Sequence, residues 1–183
     1  SIARTIARKL QIIPTIYLVG VTGGVAVNNA SLVDDIDLFF ITAPGTVWIT
    51  RLLVVLAVGL YGKRRKPTDT DVTDTICLNM FISDDAMQIP ESEQDLFSAH
   101  EVLQMEPIWS RRDTYRRFLY ANMWVKQFLP VAWNIKKIGR NQHPKVSYWW
   151  TRAARIVLRM CEAPVKMMQL WYMSHRRTNE VVS

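Results

Sequence analysis

Two short stretches hold the residues with the clearest chemical potential. A β-branched, apolar run over residues 15–22 stops at Gly23-Gly24, and after a spacer of ten residues comes Asp35-Ile36-Asp37, followed by Leu38-Phe39-Phe40. Side chains two apart on a strand point to the same face, so Asp35 and Asp37 project together. Two ionised carboxylates side by side repel, and holding both in a packed domain is costly without a compensating cation. Hard divalent cations answer this with oxygen ligands, and Mg²⁺ commonly takes one or two carboxylates together with substrate phosphates. A Gly-Gly pair at a strand-to-helix turn lets backbone N–H groups approach an anion closely, with the partial positive charge of a helix N-terminus behind them. A phosphate cradle followed by a metal-binding pair is equipment for phosphoryl or nucleotidyl transfer. The plainer alternative is a solvated turn at Asp34–Asp37. The apolar and β-branched residues after Asp37 argue instead that it lies inside a strand.

The elements that must position these residues can be read from periodicity and punctuation. Residues 15–22 and 36–42 read as strands, the second closed by Pro44-Gly45, with a short helix over 25–31 between them. Residues 46–61 form a long apolar helix, the Lys63-Arg64-Arg65-Lys66-Pro67 run a solvated loop, and residues 75–83 a third strand. After Pro90 helical spacing takes over, at residues 95–105, 113–129 and 147–174, the last interrupted at Pro164. The expectation is an α+β chain: a small mixed sheet with flanking helices over residues 1–107, then a basic, Trp-rich helical region over 108–183.

The Gly-Gly and Asp-x-Asp elements, with their spacing, resemble the nucleotidyltransferase superfamily that shares the DNA polymerase β fold. The resemblance covers residues 15–83 in order. The chain is also similar to a prokaryotic branch of that superfamily through Ile76-Cys77-Leu78-Asn79 and Ala99-His100-Glu101. The resemblance implies that Gly23 and Gly24, with Thr22 before them, seat the phosphates of an NTP substrate. It implies that Asp35 and Asp37 ligate Mg²⁺ or Mn²⁺. Basic residues such as Arg51 or Lys63 would neutralise leaving charge. The superfamily usually carries a third carboxylate on the following strand, where this chain has Asn79. An amide ligates a cation weakly and cannot serve as a general base. Glu101 or Asp84 would have to substitute, the acceptor would need no base, or only binding would remain. The resemblance therefore supports two expectations. One is an enzyme moving a nucleoside monophosphate to a hydroxyl acceptor such as RNA; the other is a catalytically reduced domain that binds nucleic acid or a protein complex.

Composition bounds both. About half of the 183 residues are apolar (49%) and 21% are charged, which excludes a disordered or collagen-like chain. The formal charge of +7 hides an asymmetry: residues 1–110 carry 8 Lys+Arg against 13 Asp+Glu, and residues 111–183 carry 15 against 3. The second part should attract a polyanion: nucleic acid, an anionic membrane or an acidic partner. Its aromatic residues are expected to pack the helices and its charges to form the solvated face, with Arg152, Arg155 and Arg159 in one basic stripe. Cys77 and Cys161 are too few for a disulfide scaffold and lack zinc spacing, so they are expected to be buried thiols in a reducing, cytoplasmic setting. No signal peptide is visible. The most apolar stretch, residues 52–62, is too short for the roughly 20 residues of a bilayer crossing, although Trp48 and Tyr61 beside it suit a peripheral contact.

Overall fold

The computed structural model describes residues 2–23, 36–61, 76–137 and 150–176. The helix expected over 25–31 and the Lys63–Lys66 run lie outside them. Helix α1 (Ile2–Leu10) leads into strand β1 (Ile16–Thr22). Strand β2 (Ile36–Thr42) is followed by helix α2 (Val47–Tyr61) and strand β3 (Ile76–Ser83). Then come α3 (Leu96–Gln104), strand β4 (Glu106–Ser110), α4 (Thr114–Ala121), α5 (Val125–Phe128) and α6 (Pro130–Lys137). Helices α7 (Trp150–Met160) and α8 (Glu162–Arg176) close the described chain. The four strands form one mixed sheet in the order β3-β2-β1-β4. β1 runs antiparallel to both its neighbours, and β2 runs parallel to β3 because α2 carries the chain back between them.

Burial on both faces explains why β1 reads as a continuous apolar run: all seven of its residues are buried. On one face Val19, Val21, Leu38, Phe40 and Ile76 pack against Ile6, Leu10, Val54 and Val58 from α1 and α2. On the other, Leu18, Phe39 and Ile41 pack against Ala99, Val102, Phe118 and Leu119 from α3 and α4, with Trp133 from α6. The α+β expectation holds. Strands β1, β2 and β3 and helices α2 and α3 fall within a residue or so of where periodicity placed them.

Four features differ, each for a physical reason. α1 was not anticipated, although Ala3, Ile6, Ala7 and Leu10 are buried at helical spacing. β4 was hidden by Glu106 and Pro107; it is an edge strand, where a proline costs no interior hydrogen bond. The sheet thus extends past residue 107, and one core layer draws residues from both sides of that position. The helix expected over 113–129 breaks at Asn122, whose buried side chain donates to the carbonyls of Met87 and Phe118 and accepts from the Ile89 N–H and the Trp124 indole. The break expected at Pro164 falls at Cys161, because Pro164 has no N–H to reach the Met160 carbonyl one turn earlier. Pro164 then sits within the first turn of α8, where its missing donor costs nothing. The thiols also depart from expectation: Cys77 is half-buried and Cys161 is exposed.

Candidate functional site

Strand register brings the two sequence stretches to one edge of the sheet. Thr22, the last residue of β1, lies directly opposite Asp37 near the start of β2, and Asp37 lies opposite Cys77 near the start of β3. Leu18 and Ile41, then Gly20 and Phe39, then Thr22 and Asp37 are successive partners two residues apart. They therefore share the face covered by α3 and α4. The apolar pairs anchor that face in the core and leave the polar pair at its rim.

Gly23 follows immediately and is built for close approach. Its φ is +71°, in the left-handed region that favours glycine. A Cβ placed on it would lie 2.7 Å from Asp37 Oδ2. The backbone after β1 thus closes directly over the Asp37 carboxylate, in space that a side chain would fill. Gly20, one turn of the pleat earlier, lets Met105 pack tightly: a Cβ there would meet Met105 Sδ at 2.6 Å.

Asn79 joins from the far side of β2. The β2–β3 register skips between Leu38 and Phe39, so that Leu38 pairs with Leu78 and Phe39 with Met80, leaving Asn79 in a bulge. Bulges re-aim side chains, and they recur beside active sites. The Asn79 amide donates to Thr22 Oγ1 at 3.3 Å, bridging over β2. Thr22 is buried, Asp37 and Gly23 are half-buried, and Asn79 is exposed. The cluster is a hydroxyl, a carboxylate and an amide at the mouth of the sheet. These are hard oxygen donors of the kind Mg²⁺ or Mn²⁺ accepts. Cys77, aligned with Asp37 on β3, brings a thiol into the same row; sequence alone marked it only as a thiol, and the register is what puts it there.

The remaining sequence candidates divide by location. Gly24 and Asp35 lie outside the described residues, so the pairing of Asp35 with Asp37 rests on their spacing. Glu101 is half-buried on α3, one turn before the helix ends against β4. α3 itself is fixed by a capping box in which Asp95 accepts from the Ser98 N–H and the Asp95 N–H donates to Ser98 Oγ. These Ser98 contacts hold the Asp95 carboxyl below its usual pKa. Asp84 follows β3, at the end of the sheet away from Asp37. There its carboxylate takes both Arg117 guanidinium nitrogens, at 2.9 and 2.5 Å, and that pairing raises the Arg117 pKa. Arg51 is in the first half of α2, across the sheet from Asp37. It lies 5.9 Å over the Trp48 ring, with Nη1 3.8 Å from Met173 Sδ. The structure therefore gathers Thr22, Gly23, Asp37 and Asn79 at one rim and sets Arg51 and Asp84 apart from it.

Compared with known proteins, the chain matches no family model and no curated protein. Among solved structures it is similar to a chain of a toxin–antitoxin crystallised with AMP-PNP, at a TM-score of 0.41 and 15% identity over 72% of this chain and 93% of that one. It is also similar to a chain from a mutant of the toxin–antitoxin MntA-HpeT, at a TM-score of 0.39 and 14% identity over the same shares.

Proposed function

We propose that the chain is a divalent-metal-dependent nucleotidyltransferase that moves a nucleoside monophosphate from an NTP to a hydroxyl acceptor, with RNA the acceptor suited to its basic second half. The observation that carries this reading is the closure of the Gly23 backbone over Asp37 Oδ2, with Thr22 paired to Asp37 across the strands and Asn79 bonded to Thr22 at the same rim. In this reading Gly23 and Gly24 present backbone N–H groups to the phosphates, and a side chain at either position would obstruct them. Asp37, with Asp35 two residues before it, holds the cation. Thr22 and Asn79, tied to each other, keep the rim in shape around it. Bound Mg²⁺ or Mn²⁺ would supply neutralisation of charge on the phosphates. In the transfer itself the acceptor oxygen bonds to the α-phosphorus, the bond to the bridging oxygen breaks, pyrophosphate departs, and the acceptor proton passes to water or a nearby base. Arg51, held against Trp48 and Met173 across the sheet, is set apart from this rim, which leaves Lys63 of the two basic candidates for leaving charge. A cytoplasmic setting, where NTP and Mg²⁺ are abundant, belongs to the same proposal.

Asn79 favours a second reading, a domain of the same fold that binds without transferring. By the resemblance to nucleotidyltransferases its amide stands where a carboxylate would activate the acceptor, and an amide cannot take the proton. Thermal-shift titration separates the two. A transferase is stabilised by ATP together with Mn²⁺ or Mg²⁺ but little by either alone, and Asp37→Ala removes that stabilisation. It also passes label from α-labelled NTP to RNA. Stabilisation by RNA without metal, falling steeply with salt and unchanged in Asp37→Ala, would replace the first reading with the second.

A further inference from the structure

Helices α7 and α8 carry charge of almost one sign. Across residues 150–176 there are five Lys+Arg and a single acid, Glu162. The acid is turned inward: Glu162 accepts from the backbone N–H groups of Trp48 and Ile49, at 2.9 Å each, at the first turn of α2. Arg155 is turned inward as well, its guanidinium 5.9 Å from the ring of the buried Tyr17. On α8 the side toward α2 is carried by Glu162, Gln169, which donates to the Trp48 carbonyl, and Met173 beside Arg51. These recur at helical intervals, so that face is settled.

The opposite face is apolar. On α7, Ile156, Val157 and Met160 are 65%, 60% and 77% exposed, and on α8, Met167, Met168 and Trp171 are 73%, 50% and 63% exposed. Residues three and four apart share a helix face, so each trio forms one ridge. Arg152 and Arg159, both exposed and seven positions apart along one side of α7, flank its ridge. An apolar surface of this kind marks an interaction site. Its chemistry selects the occupant. A second copy would set two cation-flanked faces against each other with no outward carboxylate on either helix to compensate, so self-association is opposed by charge. The complementary surface is apolar within and anionic at its border. A bilayer with acidic headgroups meets that description, since Trp and aliphatic side chains enter the acyl boundary while Arg and Lys remain at headgroup level.

We propose that the outward face of α7 and α8 docks this protein on the surface of an anionic membrane, lying in the interface without crossing it. No helix among the described residues is long and apolar enough to cross a bilayer. The inference is independent of the reaction at the Asp37 rim.

Co-sedimentation of the full chain with vesicles of phosphatidylcholine, with and without phosphatidylglycerol, tests it. The chain is expected to sediment with the phosphatidylglycerol vesicles, to stay in solution with phosphatidylcholine alone, and to be released as salt is raised. Met167→Gln/Trp171→Gln, at exposed positions and checked for unchanged circular dichroism, should lower partitioning more than tenfold. Arg152→Glu/Arg159→Glu should lower it comparably, which keeps the test independent of any single variant. The proposal is overturned if the wild type ignores both vesicles or binds them equally, or if either double variant binds like wild type. Concentration-dependent dimerisation without lipid that Met167→Gln/Trp171→Gln abolishes would also overturn it, in favour of a second copy.

Discussion

At the scale of single residues, the site depends on what is missing from Gly23 as much as on what Asp37 carries. The carboxylate lies where a Cβ would intrude, and the backbone there has a positive φ. Gly23→Ala should therefore cost about 1–3 kcal/mol through backbone strain and displacement of Asp37. It should also abolish metal-dependent stabilisation by NTP while leaving the far-UV circular dichroism of the fold in place. Chemical denaturation and thermal-shift titration of the same sample check both parts. A variant that binds NTP and metal normally would show that the approach of the two groups is incidental. The Gly-Gly and Asp-x-Asp types and spacing were legible in sequence because chemistry restricts which residues suit phosphate and metal. Asn79 was legible only as a departure. That its amide reaches Thr22 across an intervening strand follows from a bulge that no local pattern announces.

At the scale of elements, the decisive contact is one that sequence separation conceals. Glu162 closes the N-terminus of α2 from 114 positions away, supplying the carboxylate that α2 lacks in its own first turn. Helix caps of this kind contribute about 1–2 kcal/mol. Glu162→Ala should lower the melting temperature by roughly 3–6 °C for a chain of this size, and Glu162→Gln by less, because the amide oxygen still accepts. Calorimetry of the two variants decides it; identical melting to wild type would mean that α8 is held to α2 by packing alone. Periodicity revealed most helices but not their partners. It read Arg152, Arg155 and Arg159 as one solvated stripe; Arg152 and Arg159 are exposed, whereas Arg155 lies half-buried against Tyr17. Trp133 packs the core as expected, while Trp171 does not.

At the scale of the whole molecule, a single sheet is shared by both core layers, and the second layer takes Leu18 and Phe39 from before residue 107 and Phe118 and Trp133 from after it. Strand β4, paired to β1, joins the two stretches further. Heat unfolding should therefore be one cooperative transition, with near- and far-UV circular dichroism melting together. Two separated transitions would show instead that the sheet-bearing and helical parts fold apart. The charge asymmetry also acquires a structure. The acidic excess of residues 1–110 includes the Asp37 rim, and part of the basic excess after it borders an apolar ridge rather than a uniformly solvated face.

The sequence by itself determined the α+β class, the order of β1, β2, α2 and β3, and the residue types available at the rim. All of these depend on local steric preference, on burial periodicity or on which side chains can ligand an ion. Only the tertiary structure decided that β4 completes the sheet, that Asn79 reaches Thr22 over β2, that Glu162 caps α2, and that α7 and α8 turn their apolar side outward. The reason is common to these: each is a choice of partner across the fold. A residue's own neighbours in sequence fix how its backbone bends, but not what meets its side chain from a distant element.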